Sequence, residues 1–241
     1  MKRLIFCLAT LMLLSCRKET KITPEYDNSD FVRVTDVIPD AILEIRYYST
    51  YNFVGERIDG YESPMAWLTH EAADSLKAVN DDLKAHGYRI KIWDTYRPQR
   101  AVNHFIRWAE NLSDTAMKAV FHPMVDKSVL FEQGYIYARS SHSRGSTVDL
   151  TLVDAATGKE LDMGSPFDWF GEESHPDYCG NPDNLEFTEQ EGGLTSVQFY
   201  NRMVLRTAMM RHGFEGIDSE WWHFTLRNEP YPDTYFDFPI R

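Results

Sequence analysis

The segment that most constrains this chain is residues 140–149, Ser-Ser-His-Ser-Arg-Gly-Ser-Thr-Val-Asp, which carries a histidine and an aspartate seven positions apart. Side chains along a straight strand alternate between its two faces, so His142 and Asp149 could not share a face of one strand. A turn at Arg144-Gly145 would remove that obstacle and let both side chains enter one pocket. Imidazole and carboxylate together form a ligand pair that suits zinc. A plain hydrogen bond between the two is the simpler alternative.

A second segment, residues 220–224 (Glu-Trp-Trp-His-Phe), supplies another histidine, with a carboxylate three positions before it. A catalytic zinc ion usually takes three protein ligands and leaves its fourth position to water. His223 would complete such a set with the first pair, and Glu220 would be free to act as base on the bound water. Residues 220 and 223 do not share a face on a flat strand, so we expect a bend near residues 219–221. The alternative is a buried aromatic strand with a hydrogen-bonded histidine.

Together with residues 94–98 (Asp-Thr-Tyr-Arg-Pro), these segments resemble the VanX-type D-alanyl-D-alanine dipeptidases, zinc enzymes related to the D,D-carboxypeptidases. The family pattern S-x-H-x-x-G-x-A-x-D is met within residues 140–149, with Thr147 in place of the small alanine. The resemblance extends from about residue 44 to the C-terminus. Further matches follow in order at residues 164–168 (Gly-Ser-Pro-Phe-Asp), 229–232 (Glu-Pro-Tyr-Pro) and 235–239 (Tyr-Phe-Asp-Phe-Pro).

The resemblance implies hydrolysis of the dipeptide D-Ala-D-Ala to two D-alanines, in cell-wall peptide turnover or D-alanine recycling. One zinc ion per chain would be held by His142, Asp149 and His223. Glu220 would take a proton from the metal-bound water and deliver it to the leaving amine.

Two further residues receive roles from the resemblance. Arg97 would bind the developing oxyanion, since a guanidinium stays charged at all working pH values. From the residues alone, an ion pair with Asp94 or a surface acid is the preferred interpretation. Asp168 would bind the free ammonium of the substrate, because a carboxylate among aromatic residues is costly to bury unless it meets a cation. The weaker candidates for substrate contact are Ser140 and Tyr47, with Tyr48 as an alternative to Tyr47.

Two rival functions remain open at this stage. A related zinc D,D- or L,D-carboxypeptidase would trim longer peptidoglycan stems, but Asp168 argues against it by closing the N-terminal side of the substrate. A non-catalytic, zinc-stabilised binding lipoprotein would need neither Glu220 nor Arg97.

Hydrophobic periodicity and the residues that begin and end helices predict an α+β domain with helices packed on a mostly antiparallel sheet. The zinc D,D-peptidase resemblance implies the same fold class. Predicted strands cover residues 32–34, 42–45, 88–93, 134–139 and 150–153. Predicted helices cover residues 70–86, capped by Thr69 and stopped by Gly87, 98–111, beginning at Pro98, and 196–212, stopped by Gly213. The polar segment 179–193 is interpreted as a surface insertion.

The N-terminus has the features of an exported lipoprotein. A basic start precedes an apolar run at residues 4–14, which is shorter than the roughly 20 residues that span a bilayer. It ends in Leu-Leu-Ser-Cys, which resembles the bacterial lipoprotein box. We therefore expect a signal peptide at 1–15, lipidation of Cys16, a flexible tether at 16–30 and one catalytic domain at 31–241. The protein would then lie on the periplasmic or cell-surface side, attached to the membrane through its lipid alone; a plain signal peptide cut nearby is the alternative.

Charge and cysteine content narrow the function further. The formal net charge of −12 argues against a nucleic-acid partner, because phosphate binding needs a basic surface. Only Cys179 would remain in the mature body apart from the lipidated cysteine, so a cysteine-rich zinc site is excluded. A small dipeptide is the expected partner.

Overall fold

The structure, a computed structural model, describes residues 28–241 except 182 and 184. Its helices are α1 (Val34–Val37), α2 (His70–Ala85), α3 (Gln99–Glu110), α4 (Lys118–Phe121) and α5 (Ser196–Arg211). Its strands are β1 (Phe31–Arg33), β2 (Ile42–Leu43), β3 (Trp67–Thr69), β4 (Tyr88–Asp94), β5 (Thr147–Asp154), β6 (Gly180–Asn181), β7 (Glu186–Phe187), β8 (Phe214–Gly216) and β9 (His223–Leu226).

A five-stranded sheet in the order β2-β4-β5-β9-β8 forms the centre of the domain. β2 runs parallel to β4, and the other neighbouring strands are antiparallel. Helix α2 packs against β4, and α5 packs against β8 and α2. This architecture confirms the predicted α+β class. Strand β5 is buried from Thr147 to Val153, so any polar side chain it carries must find a partner inside the protein.

The three long helices follow their sequence signals closely. Helix α2 buries the apolar side chains of its predicted face, and Gly87 follows it with φ +84°. Helix α5 begins with a capping box formed by Thr195 and Gln198. The predicted cap at Thr69 is wrong in one respect, because its hydroxyl bonds to Ser146 Oγ at 2.8 Å and not to the helix backbone. Pro98 immediately precedes the first residue of α3.

Two predicted strands are displaced or shortened at their ends. The first strand ends at Arg33, since Val34 already begins α1, and β2 covers only Ile42 and Leu43. Each strand pairs with a single neighbour, β1 with β3 over three residues and β2 with β4 over two.

The predicted strand at residues 134–139 is wrong. The backbone N–H groups of Tyr135 and Ile136 both donate to the carbonyl of Leu130, at 2.9 and 3.2 Å, so the chain turns back on itself. Gly134 has φ +75°, and within 134–139 only Ile136 is buried. Strands β4 and β9 already occupy the two edges of β5, so this segment has no sheet edge there to join.

The N-terminal predictions, namely the signal peptide, Cys16 and residues 16–27 of the tether, lie outside the described residues. At the start of the described chain, Asp30 accepts a hydrogen bond from Tyr231 at 2.6 Å, so contacts with the domain begin within the last residues of the predicted tether. No helix among the described residues is long and apolar enough to cross a membrane. The segment 179–193 contains the short β6–β7 hairpin, and its described residues are half-buried or exposed, so they lie at the surface.

Candidate metal centre and active site

The three predicted ligands converge at the middle of the sheet. Asp149 on β5 lies directly opposite His223 on β9, and His142 comes from the short 3₁₀ helix Ser141–Arg144 before β5. His142 Nε2 lies 3.2 Å from Asp149 Oδ2 and 3.3 Å from His223 Nδ1, and His223 Nδ1 lies 3.1 Å from Asp149 Oδ1. In a tetrahedral site with bonds of about 2.0–2.1 Å, neighbouring ligand atoms lie about 3.3 Å apart. The donor set therefore has the size and chemistry of a zinc site.

A tight turn brings His142 to this point. The Ser140 hydroxyl accepts a hydrogen bond from the His142 backbone N–H at 3.3 Å, and Gly145 follows the 3₁₀ helix with φ +85°. A Cβ at residue 145 would lie 2.3 Å from Cε1 of Phe31, so only glycine fits. The turn expected at Arg144-Gly145 is confirmed.

Hydrogen bonds to the far nitrogen of each imidazole fix the orientation of the ring, and for His142 they also fix the tautomer. His142 Nδ1 lies 2.7 Å from the carbonyl oxygen of Thr95 and must donate to it. His223 Nε2 lies 3.2 Å from Ser141 Oγ. His142 Nε2, which faces Asp149, is then free to present a lone pair, and His223 Nδ1 presents one when its Nε2 donates to Ser141. Such hydrogen bonds orient histidine ligands around metals.

Asp149 carries the clearest sign that the cluster needs a cation. Its Oδ1 is buried and lies 3.1 Å from His223 Nδ1, but it receives no well-directed hydrogen bond among the described residues. Burial by itself would raise the pKa of Asp149, but the close imidazoles of His142 and His223 outweigh it and hold the pKa well below its usual range. Burial lowers the pKa of His142, which favours the neutral imidazole that a metal requires.

Glu220 lies beside this cluster. Bends at residues 218 and 219 and a turn at 221 and 222 precede β9, which confirms the expected bend near 219–221. The Glu220 carboxylate lies 3.5 Å from His223 Nδ1. Burial raises the pKa of Glu220, and the nearby charge of Asp149 adds to the effect. A carboxylate with a raised pKa next to a metal site suits proton transfer near neutral pH.

Arg97 combines the two interpretations that its sequence left open. Its Nε donates to Asp94 at 2.9 Å, as the ion-pair alternative requires. The guanidinium also lines the pocket, with Nη2 3.6 Å from Asp149 Oδ2. Asp94 accepts a second hydrogen bond from the Tyr61 hydroxyl at 2.6 Å. The Asp94 carboxylate therefore fixes Arg97 in the wall of the site. The sequence predicted this ion pair, but only as an alternative to a role of Arg97 in the pocket.

Asp168 is a buried carboxylate with one hydrogen-bond partner. The Tyr47 hydroxyl donates to it at 3.0 Å, and no lysine, arginine or histidine nitrogen of the described chain lies within 4.0 Å. Burial raises the pKa of Asp168 well above its ordinary value, and the negative charge of Asp149 raises it further. Tyr48, the alternative to Tyr47, lies instead beneath the Arg57 guanidinium.

These groups line one cavity of about 240 Å³, which is smaller than the roughly 300–1,000 Å³ of sites for drug-sized ligands. Ser140 lines it too, so all the predicted site residues in the described chain reach this place. Sequence reasoning missed Ser141 and the Thr95 carbonyl, which orient the two histidines. No local pattern could have shown them, since each acts across more than 40 positions of the chain.

Two histidines and an aspartate around one point, with the Glu220 carboxylate beside them and an arginine in the wall, have the geometry and chemistry of a metallohydrolase site. A family model described as D-Ala-D-Ala dipeptidase matches residues 27–241. D-alanyl-D-alanine dipeptidases of Enterococcus faecium and Streptomyces coelicolor are each 37% identical over 211 residues, which cover 88% of this chain and 98% of theirs. That of Escherichia coli is 29% identical, covering 83% of this chain and 86% of its own. The chain belongs to the D-Ala-D-Ala dipeptidase family.

Proposed function

We propose that this protein hydrolyses the dipeptide D-Ala-D-Ala to two D-alanines, with a single zinc ion held by His142, Asp149 and His223. The observation that carries the proposal is the convergence of these three buried ligand atoms at separations of 3.1–3.3 Å. When bound there, zinc would lower the pKa of water to about 7 and polarise a carbonyl oxygen. Family membership and the identity of the relatives support the dipeptide as substrate.

The residues around the proposed ligands transfer the proton and bind the developing negative charge. Glu220 accepts a proton from the attacking water as its hydroxyl adds to the carbonyl carbon. It then passes the proton to the amide nitrogen, so that the C–N bond breaks as the C=O bond forms again. Arg97 stays charged and binds the oxyanion that develops on the carbonyl oxygen. Asp94 holds Arg97 in place for this contact.

Asp168 binds the substrate ammonium. Its buried carboxylate lacks a cationic partner in the described chain, and the ammonium of a dipeptide would provide one. The Tyr47 hydroxyl orients the carboxylate, and Ser140, at the cavity wall, is available for contact with the substrate. Since a substrate extended at its N-terminus has no ammonium at this position, the arrangement favours dipeptides over longer stems.

Substrate selectivity and metal dependence test the proposal together. The purified protein is assayed with D-Ala-D-Ala, L-Ala-L-Ala and a tripeptide ending in D-Ala-D-Ala, each with and without chelator, and its zinc content is measured. Hydrolysis of D-Ala-D-Ala that chelator abolishes and zinc restores is the expected result. Preferential cleavage of the tripeptide would identify a carboxypeptidase, and zinc binding without any hydrolysis would identify a binding protein.

We also propose that the mature protein begins at lipidated Cys16 and works outside the cytoplasmic membrane. The support is the sequence pattern of residues 1–16 alone, where the basic start, the apolar run and Leu-Leu-Ser-Cys occur in order. More than one acyl chain, as lipoproteins carry, is what stable anchoring requires. From that position the enzyme would meet dipeptide released during wall turnover, which favours recycling of D-alanine. Fractionation of cells expressing wild type and Cys16→Ala tests this; unprocessed wild-type protein in the cytosol would refute it.

A further inference from the structure

One buried side chain of α5, Arg202, holds the segment that carries Asp168. Arg202 is 1% exposed, and its guanidinium reaches both ends of residues 163–175. It donates hydrogen bonds to the carbonyl oxygens of Met163 (2.6 Å), Glu173 (2.6 Å) and His175 (3.0 Å), and to Ser165 Oγ (3.3 Å).

Arg202 places a charged group among neutral hydrogen-bond acceptors, and this bears on its role. All four acceptors are neutral, and no carboxylate of the described chain forms an ion pair with Arg202. Burying a charge without an opposite charge is costly even when hydrogen bonds satisfy it. A planar fork that joins four points on one segment is what arginine offers and an apolar residue does not. The side chain therefore fixes the shape of this segment in addition to filling space.

The same segment is bonded to the residue that follows Glu220. Trp221 donates from Nε1 to Ser165 Oγ at 2.9 Å and from its backbone N–H to the carbonyl of Ser174 at 2.9 Å. The Arg202 guanidinium lies 5.7 Å from the centre of the Trp221 indole. The Ser165 hydroxyl thus accepts hydrogen bonds from both Arg202 and Trp221 and links the two side chains.

Asp168 lies between the anchored ends of the segment in a strained conformation. Its φ is +59°, a region that costs a non-glycine residue roughly 1–2 kcal/mol. Such strain persists only where the surrounding structure fixes the backbone on both sides. Met163 and Ser165 anchor the segment before Asp168, and the Glu173 and His175 carbonyls anchor it afterwards.

We propose that Arg202 is a positioning residue for the dipeptidase reaction: by anchoring residues 163–175, it places the Asp168 carboxylate for the substrate ammonium and fixes it relative to Glu220. The inference rests on the proposed function, since it assigns Arg202 to the recognition of a free ammonium. Arg202 touches neither the metal ligands nor the cavity, so its effect must pass through the segment that it holds.

The test compares Arg202→Lys and Ser165→Ala with the control Arg211→Met, which removes an exposed arginine on the same helix that pairs with Asp82. The KM for D-Ala-D-Ala is measured beside the Ki of propionyl-D-alanine, which has the same carbon skeleton with a hydrogen in place of the ammonium. Arg202→Lys and Ser165→Ala should raise KM on the order of 2- to 10-fold, the effect of one or two lost hydrogen bonds, with a smaller change in Ki. The control should change neither.

The ratio of KM to Ki separates positioning from loss of folded protein. A variant that is merely less stable has less active enzyme, which lowers the apparent kcat but leaves KM and Ki unchanged. Wild-type ratios in active Arg202→Lys and Ser165→Ala would overturn the role of Arg202. If Arg202→Lys does not fold, Ser165→Ala decides, because it removes only the hydroxyl shared with Trp221. A wild type that fails to hydrolyse the dipeptide with zinc would instead refute the proposed function.

Discussion

At the scale of single residues, Asp168 is a buried carboxylate that lowers the stability of the folded protein when it is ionised. Its carboxylate is 8% exposed and has the Tyr47 hydroxyl as its hydrogen-bond partner. Burial raises its pKa well above the ordinary value, so the ionised form is less stable in the folded protein than in the unfolded chain. The group that offsets this cost is expected to come from the substrate.

Asp168→Asn should therefore stabilise the metal-free protein while it weakens substrate binding. The raised pKa means that the wild type is stabilised below the unfolded pKa of about 4 and loses stability as pH rises through the folded pKa. Asparagine does not ionise and tolerates a positive φ. The gain in melting temperature should vanish near pH 4 and grow toward pH 7, and KM for D-Ala-D-Ala should rise. A variant less stable than wild type at pH 7 would contradict this account.

Glu220→Gln removes the proposed base but keeps the size of the side chain. Since general acid–base catalysis contributes roughly 10²- to 10⁴-fold, kcat should fall by about that factor while the protein still binds one zinc. The measurements are kcat for D-Ala-D-Ala and the zinc content by elemental analysis. Glu215→Gln, on the exposed part of β8, is the matched control and should retain full activity. Full activity with bound zinc in Glu220→Gln would exclude Glu220 as the base.

At the scale of elements, the turn between the Ser141–Arg144 helix and β5 decides whether a metal site exists. It converts two residues that are seven positions apart into neighbours, with His142 Nε2 3.2 Å from Asp149 Oδ2. The turn is held from outside, because Phe31 packs against Gly145 where a side chain would otherwise project. Packing of β1 is thereby coupled to the position of His142.

Gly145→Ala should lower both stability and zinc affinity. The left-handed φ costs roughly 1–2 kcal/mol for alanine, and the Cβ would also clash with the Phe31 ring at 2.3 Å. The free energy of unfolding is measured in denaturant, and zinc affinity by competition with a chelating dye. Gly158→Ala is the control, since Gly158 has φ +71° but no atom within 4 Å of a new Cβ. Equal losses in the two variants would show that the contact with Phe31 has no effect.

At the scale of the whole molecule, the site lies at the centre of the sheet and not on a peripheral loop. Two of the proposed ligands come from the adjacent strands β5 and β9, and the core of buried residues is continuous around them. A metal that binds the folded protein but not the unfolded chain raises the free energy of unfolding. The increase grows with the logarithm of the ratio of metal concentration to Kd. Because the proposed ligands lie on central strands, we expect bound metal to stabilise the whole domain against unfolding.

Metal removal should accordingly lower the melting temperature of the whole domain in one transition. At zinc concentrations about 100 times Kd, the stabilisation expected from mass action is roughly 2.7 kcal/mol. Calorimetry of the chelated and zinc-loaded protein measures it, and circular dichroism shows whether helices and strands melt together. His223→Ala should abolish the difference. A melting temperature that is unaffected by zinc in the wild type would contradict a folded-state metal site at this position.

The sequence by itself determined the features that depend on near neighbours. Helices α2 and α5 follow from apolar spacing and their terminal glycines, and the turn at Gly145 follows from the need to bring His142 and Asp149 together. The three proposed ligands were predicted from residue types whose chemistry suits zinc, together with the family motif. These signals are local, so they can be read without knowing how distant segments pack.

Only the tertiary structure decided the features that depend on pairing across long distances. It placed Asp149 opposite His223, and it let Arg97 pair with Asp94 while lining the cavity. It left Asp168 without a cationic partner in the described chain. It also excluded residues 134–139 from the sheet, because β4 and β9 already flank β5. Strand order and the partners of buried charges are set by the packing of the whole domain, and residue preference over a short segment contains no information about which edge is free.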